Sequence, residues 1–453
     1  MSFVRVPPDS TGKKIYTMEH TIGADIVQTQ VLHIVDETNP ENILHIDQRG
    51  SASIRFADGQ PTLSGFGALN VSAKKVLGVY ESSSGSYDDL FSVGTTVGGS
   101  NVYDDIAHGM LLQVDGTNGA SVKRTTNRYH YYLPGSANMY IGTLACGDTG
   151  KVGNYRKWGA FDDEDGVYFS LEGTTIYATI RSSTSGTIVE TKIAKSSWNE
   201  DKLDGTGLSG MVLDITKINI WWIDYQWLGA GRVRFGVYAP DGSRIVCHRI
   251  ENAGANTLPF MRTGTLPIRT ENYNSSATGS PSMLRESCQA MYTEGTPEDY
   301  TFWRSSDVTA SATATTADTT LIALRSTLTP PGLNHHNSII AYPETLNVYT
   351  DQPVRIDLTQ DVTTTGGTWT ATSGETSIEG STDTAITGLG LPFKTWFFGP
   401  GAHTISISQF FELNDEGIML NADGTKEVWA FTAKRLGSTN AAVTLNMGYR
   451  ELW

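Results

Sequence analysis

Apolar and polar residues alternate with a period of two through the middle of the chain, the pattern of β-strands with one buried face. Ile176, Ala178 and Ile180 alternate with Tyr177, Thr179 and Arg181. The turn at 182–186 then leads into Ile188, Val189 and Ile193, which predicts an antiparallel hairpin. Val233, Phe235 and Val237 alternate with Arg232, Arg234 and Tyr238, and Pro240, Asp241 and Gly242 follow with the preset φ and the glycine that a tight reversal needs. The last strand places Val443, Leu445, Met447 and Tyr449 on one face. Helical patterns of about 10 to 15 residues do not separate these strands, so the expectation is an all-β, antiparallel sandwich, jelly-roll or concanavalin-like, and not an α/β enzyme.

The same pattern divides the chain. Residues 1–80 read as an N-terminal arm and docking region: Pro7 and Pro8 interrupt an extended opening, which suits an arm or edge strand because proline cannot donate to a ladder. Val31–Val35 is its main apolar segment. The Ser-, Gly- and Asp-rich stretch from Tyr80 to Tyr103 reads as loop. Residues 81–300 form the central lectin-like sandwich, within which Met283–Tyr292 is the best helix candidate. Residues 301–338 read as a linker or extended segment, although the alternation at Val308–Ala317 also suits a polar strand. Residues 339–453 form a second, C-terminal β-sandwich with Trp369, Trp396, Phe397, Phe398, Phe410, Phe411 and Trp429 as core material. No repeat of fixed period is present, which disfavours solenoids and propellers.

Composition narrows the partners. Among 453 residues, Lys and Arg number 33 against 48 Asp and Glu, a formal net charge of −15, so no nucleic-acid partner and no anionic membrane surface is expected. No run of about 18 apolar residues occurs, and the opening Met1–Pro8 lacks the basic start and apolar stretch of a signal peptide. The three cysteines, Cys146, Cys247 and Cys288, have no paired metal-ligand spacing and read as buried thiols of a reducing cytoplasm.

Candidate chemistry is sparse. The chain has no phosphate loop, zinc-binding HExxH helix or GxSxG nucleophile elbow, so the expectation is a non-enzymatic protein without cofactors. The acidic turn Asp162–Gly166 has oxygen ligands of the type calcium takes, but it lacks a distal bidentate Glu, and a solvated turn explains it as well. Trp222, Tyr225 and Trp227 are candidate sugar-stacking rings, as in lectin-like sandwiches, with core packing as the plainer explanation. Trp221 and Trp222 are adjacent and on a strand face opposite sides. His335 and His336 point apart in extended chain, which speaks for a surface loop over a shared metal. A glycan depolymerase needs only two carboxylates brought together by the fold, and among 48 acidic residues the sequence singles out none.

Several segments carry a family resemblance: 5–13, Trp158–Asp162 followed by Gly166–Phe169, Trp198-Asn199 followed by Asp204-Gly205, Leu213-Asp214, Trp227–Gly236 and Leu266–Arg269. Over about the first 270 residues the chain resembles β-rich virion structural proteins of tailed bacteriophages, of the large myophage and cyanophage type. The resemblance implies a structural role among other virion proteins, assembled in the host cytoplasm, with no catalytic residues. The expected place is the tail, as a baseplate or fibre-attachment subunit, and the expected oligomer is a homotrimer. Capsid decoration and a host-attachment adhesin that binds a surface glycan are the alternatives.

Overall fold

The computed structural model describes residues 2–5, 14–22, 25–30, 74–86, 90–294, 303–388, 390–414 and 417–452. The chain forms two units, Met1–Pro61 and Thr62–Trp453. In the first, Ser2–Arg5, Lys14–Ile22 and Asp25–Gln30 form an antiparallel three-stranded meander. Ser2–Arg5 is an edge strand there, as the sequence predicts for the opening, while Pro7, Pro8 and Val31–Val35 lie outside the described residues.

In the second unit a sandwich of two antiparallel sheets spans residues 74–294. The seven-stranded sheet runs, edge to edge, Val189–Ala194, Thr175–Ser182, Gly166–Glu172, Asn154–Phe161, Ile268–Asn274, Ser121–Thr126 and Phe91–Thr95. The eight-stranded sheet runs Arg244–Glu251, Arg232–Tyr238, Asn219–Tyr225, Asn138–Ala145, Ser282–Glu294, Gly109–Val114 and Gly99–Asp104, with Lys74–Glu81 also paired to Ser282–Glu294. Both predicted hairpins are present.

Aromatic rings bind the sheets together. Trp158 and Phe169 come from one sheet and Trp221 and Phe235 from the other, with centroids 5.0 Å apart for Trp158–Trp221, 4.7 Å for Phe169–Trp221 and 5.3 Å for Phe169–Phe235. All four side chains are buried. Tilted and edge-on pairs of this kind contribute about 0.5–1.5 kcal/mol each beyond their area.

The helix expected at Met283–Tyr292 is instead the central strand Ser282–Glu294, hydrogen-bonded to three neighbours. A register shift between Glu286 and Cys288 reverses the parity of the strand, so Leu284 before it and Met291 after it both face the core. Apolar spacing of four and three across Leu284, Cys288 and Met291 therefore imitates a helix while tertiary pairing imposes a strand. Boundaries move as well. The expected loop from Tyr80 to Tyr103 contains the edge strands Phe91–Thr95 and Gly99–Asp104, and the sandwich begins at Lys74. The expected linker holds Trp303–Ala314 and Thr319–Ser326, the first paired along its whole length with Ala441–Leu452.

These strands belong to the C-terminal sandwich. A four-stranded sheet orders Trp303–Ala314, Ala441–Leu452, Ile340–Thr350 and Gly401–Ser406; a six-stranded sheet contains Thr319–Ser326, Trp429–Arg435, Val354–Gln360 and Leu391–Phe398. Val443, Leu445, Met447 and Tyr449 face its core with Phe411 and Trp429, while Phe397 is exposed. One short helix, Ser408–Asn414, is described. Among the described residues no helix is long and apolar enough to cross a membrane. Cys146 and Cys247 are buried free thiols, as expected, whereas Cys288 is exposed because the register shift turns it outward.

One glycine tests the packing of the eight-stranded sheet. A Cβ on Gly236 would lie 2.3 Å from the Trp222 indole and 2.2 Å from the Ile245 carbonyl oxygen. Gly236→Ala should therefore destabilise the protein by about 1–3 kcal/mol, read as a lower urea midpoint with an unchanged slope. An unchanged midpoint would mean that the indole moves aside freely.

Candidate functional site

Alternation along the seven-stranded sheet sends Asn154, Arg156, Trp158 and Ala160 inward, leaving Tyr155, Lys157, Gly159 and Phe161 on the outer face. Register then assembles that face in rows. Tyr155 lies between Glu172 and Tyr273; Lys157 lies between Ser170 and Glu271, with Tyr177 beyond Ser170 and Lys123 beyond Glu271. Gly159 lies between Tyr168 and Arg269, and Phe161 lies opposite Gly166, with Arg181 and Glu190 beyond.

Half of this face is closed. Phe161 and Tyr168 pack 4.5 Å apart, the Arg181 guanidinium lies 5.5 and 5.3 Å from their ring centres, and Tyr168, Phe161 and Arg269 are fully buried. Glu190 is the hub: its carboxylate accepts from the Tyr168 hydroxyl at 2.5 Å and from Arg181 at 2.8 Å, and pairs with Lys157 at 3.2 Å and Lys192 at 2.9 Å. Burial pushes the Glu190 carboxyl up, but donation by Tyr168, Lys192 and Arg181 outweighs it and holds the group well below the usual carboxylate range. Burial, and then the charge of Arg181, lower Lys157.

The other half is open. Tyr155 and Tyr273 stack in parallel, 4.9 Å apart at 10°, both half-buried, with Lys157 5.6 Å from the Tyr273 ring centre. Ser121, opposite Tyr273 in register, is too small to cover the ring. Glu172, Glu271, Tyr177 and Lys123 surround the pair, all half-buried. Burial, then the charges of Glu271 and Glu172, raise the Tyr273 phenol, which keeps it a hydrogen-bond donor. The open half thus offers aromatic rings beside fixed donors and acceptors.

The predicted stacking residues lie elsewhere. Trp221 and Trp222 do face opposite sides of their strand, but neither is exposed: Trp221 joins the inter-sheet core, and Trp222 is pressed onto Gly236 under the Arg244 guanidinium at 4.0 Å. The Trp222 indole donates to the Val237 carbonyl at 3.1 Å, and the Tyr225 hydroxyl donates to Gly264 at 3.0 Å. Both residues are fully buried, so neither presents a ring face to a sugar. Trp227 is half-buried and its indole donates to Met261 at 2.8 Å. The plainer reading, core packing, accounts for the cluster.

The acidic turn is an ion-pair knot. Asp162 accepts from the backbone N–H groups of Glu164 and Asp165, both at 2.8 Å, and from the Tyr129 hydroxyl at 3.1 Å. Asp163 pairs with Arg269 at 2.6 Å, Glu164 with Arg262 at 2.5 Å, and Asp165 takes the Arg262 backbone and the Ser183 hydroxyl at 2.9 and 2.7 Å. Backbone N–H groups, hydroxyls and the Arg262 and Arg269 guanidinium groups thus engage the carboxylates of this turn, and among the described residues no group of three or more His, Cys, Asp or Glu is arranged to hold a metal. His336 packs 5.4 Å from the Tyr129 ring and His335 Nδ1 donates to the His336 carbonyl at 3.0 Å, so the two imidazoles share no ligand site.

Sequence reading missed the outer face because its residues sit singly, each two positions from the next, on strands far apart in the chain. The available signal was polar and aromatic residues at both parities, as in Tyr155-Arg-Lys157 and Glu271-Asn-Tyr273, where a one-sided strand would show alternation.

No protein-family model and no curated protein matches the sequence. Solved structures of similar backbone include a protein of unknown function from Shewanella oneidensis, at TM-score 0.34 and 10% identity over 51% of this chain and 91% of that one. A legume lectin-like domain from Entamoeba histolytica gives 0.28 and 12% over 45% and 90%, and the lectin from Bauhinia forficata in complex with GalNAc gives 0.30 and 11% over 49% and 98%. Scores this low say nothing of activity. The class of the protein, an antiparallel β-sandwich with a polar, aromatic outer sheet face, rests on its own topology.

Proposed function

We propose that the chain is a non-enzymatic attachment protein whose central sandwich binds a glycan on the open half of the seven-stranded sheet. One observation carries this reading: the Tyr155–Tyr273 pair stands half-buried among Lys157, Glu271 and Glu172. Sugars combine apolar ring faces with dense hydroxyls, and aromatic rings flanked by charged hydrogen-bonding groups match both. A hydrolase would need a carboxyl kept protonated on this face. Glu190 is held ionised, Glu172 pairs with Lys192 at 2.8 Å, and Glu271 lies 3.4 Å from Arg269, which favours binding over turnover.

The setting follows from the sequence resemblance over residues 1–270: a repeated subunit of a tailed-phage particle, at the baseplate or fibre junction and forming homotrimers with other virion proteins as neighbours. Electron cryo-microscopy of the particle tests it. Density at the tail supports the setting, a regular array on the head makes the chain a decoration protein, and absence from the particle removes the virion role.

Glycan-array binding followed by calorimetry tests the site. Tyr273→Ala should weaken the best glycan at least about tenfold, the scale of one lost stacking contact plus a hydrogen bond, while the melting temperature stays near wild type. Full affinity in Tyr273→Ala, or hydrolysis of the glycan by the wild type, would refute the reading.

A further inference from the structure

The eight-stranded sheet has a free edge. Lys74–Glu81 is hydrogen-bonded to Ser282–Glu294 on one side, and among the described residues no strand pairs with its other side. Such an edge presents a row of backbone N–H and C=O groups without partners, a template for a further strand.

Register decides which side chains flank that edge. Lys74, Val76, Val79 and Glu81 lie opposite Glu294, Tyr292, Ala290 and Cys288 and stand on the outer face of the sheet, while Leu77 and Tyr80 are buried within the sandwich. Two valines three positions apart share a face because Leu77 is an extra residue, a bulge between Gly78 opposite Met291 and Val76 opposite Tyr292. Val76 is 47% exposed and Val79 55%. The Lys74 ammonium donates to the Met139 sulfur at 2.8 Å, and the Glu81 carboxylate accepts from the Ser83 hydroxyl. Neither contact is an ion pair, so both ends of the strand can take a group of opposite charge.

The strand is its own complement. Two copies related by a two-fold axis perpendicular to the sheet run antiparallel and keep their outer faces on one side. With the axis between Leu77 and Gly78, Val76 of each copy lies opposite Val79 of the other, and Lys74 of each lies opposite Glu81 of the other. Lys74 then stands between Glu294 of its own copy and Glu81 of the second. Apolar and opposite-charge pairs in direct register are the pairs that stabilise a sheet. Both copies carry Leu77 and Gly78 between their valines, so the bulge on one side is matched by the bulge on the other. Lysines and bulges ordinarily blunt an edge; here they exclude the other registers, because a slip of two residues sets a valine against a charge and puts the bulges out of step.

We infer that Lys74–Glu81 docks on the same strand of a second copy of this chain, joining two eight-stranded sheets edge to edge. The contact is isologous, so it joins copies in pairs, and a trimer held by other surfaces becomes a hexamer through it.

Sedimentation velocity and light scattering on the full chain test it. The wild type should contain an even number of copies. Glu81→Lys, at an exposed position, sets like charges opposite each other at both ends of the paired strands. It should raise the dissociation constant of the pair about tenfold or more and halve the mass on dilution, with an unchanged circular dichroism spectrum. Val79→Lys should do the same by setting a charge against Val76. Adding Lys74→Glu to Glu81→Lys puts opposite charges back in register and should restore the pair, which a local effect of either change alone would not do. The inference is overturned if the wild type contains an odd number of copies, if both single variants keep the wild-type affinity, or if a folded double variant stays apart. Where the double variant does not fold, the two single variants decide.

Discussion

Arg124→Met should lower folding stability by about 3–5 kcal/mol, because it leaves a carboxylate unpaired between two sheets. Arg124 lies on Ser121–Thr126 of one sheet and Glu286 on Ser282–Glu294 of the other, and their side chains meet at 2.5 Å with accessibilities of 0% and 2%. The guanidinium also lies 3.3 Å from the Phe91 ring centre and donates to the Ser86 carbonyl at 2.7 Å. Water cannot take over for the lost partner at such depth, so Glu286 must either stay charged in an apolar layer or bind a proton. The double variant Arg124→Met, Glu286→Leu should recover much of the loss, since a well-packed apolar pair avoids both desolvation penalties. Urea unfolding of the wild type, both single variants and the double variant closes the cycle. A loss under about 1 kcal/mol in Arg124→Met would show that the site is hydrated and the pair dispensable.

That pair also shows what the sequence hides. Sandwich strands are legible where one face is apolar and the other wet, and Ile176–Ile180, Val233–Val237 and Val443–Tyr449 are read correctly from alternation alone. Alternation fails for Ser121–Thr126, where Arg124 and Thr126 face inward, and for Ser282–Glu294, where Glu286 and Gln289 face inward around a register shift. A buried arginine matched to a glutamate 162 residues away has no local signature. The candidate site is hidden for a related reason: Tyr155, Lys157, Tyr168, Glu190, Glu271 and Tyr273 become neighbours only through four strand pairings. By contrast, adjacent Trp221 and Trp222 stand out in sequence because the strand Asn219–Tyr225 is packed on both faces.

Acid should destabilise the protein from about pH 6.5 downward, with His130 as the largest imidazole contribution among the described residues. The ring is 1% exposed; its Nδ1 donates to the Leu266 carbonyl at 3.1 Å and its Nε2 accepts from the Tyr80 hydroxyl at 2.9 Å, a geometry that needs the neutral tautomer. Burial, and then the charge of Arg128, push its pKa down to about 3 from an ordinary 6.5, against a small rise from the Leu266 carbonyl. The unfolded chain therefore binds one more proton than the folded chain between those values. Stability is full above pH 6.5 and falls by up to about 1.4 kcal/mol per pH unit as pH drops toward 3. His248 and His336, lowered by burial, act with the same sign. Glu190, whose folded pKa is depressed, adds its loss only below about pH 4.5, where the unfolded carboxyl begins to protonate. His130→Gln can keep both hydrogen bonds, with its amide N–H donating to Leu266 and its carbonyl accepting from Tyr80, while removing the titration. Its stability at pH 8 should be slightly below wild type, and its decline between pH 6.5 and 5 should be shallower by about one proton. Parallel pH profiles for the two proteins would mean that His130 is protonated equally in the folded and unfolded chains, and that the Tyr80–His130–Leu266 chain of hydrogen bonds does not hold the neutral ring.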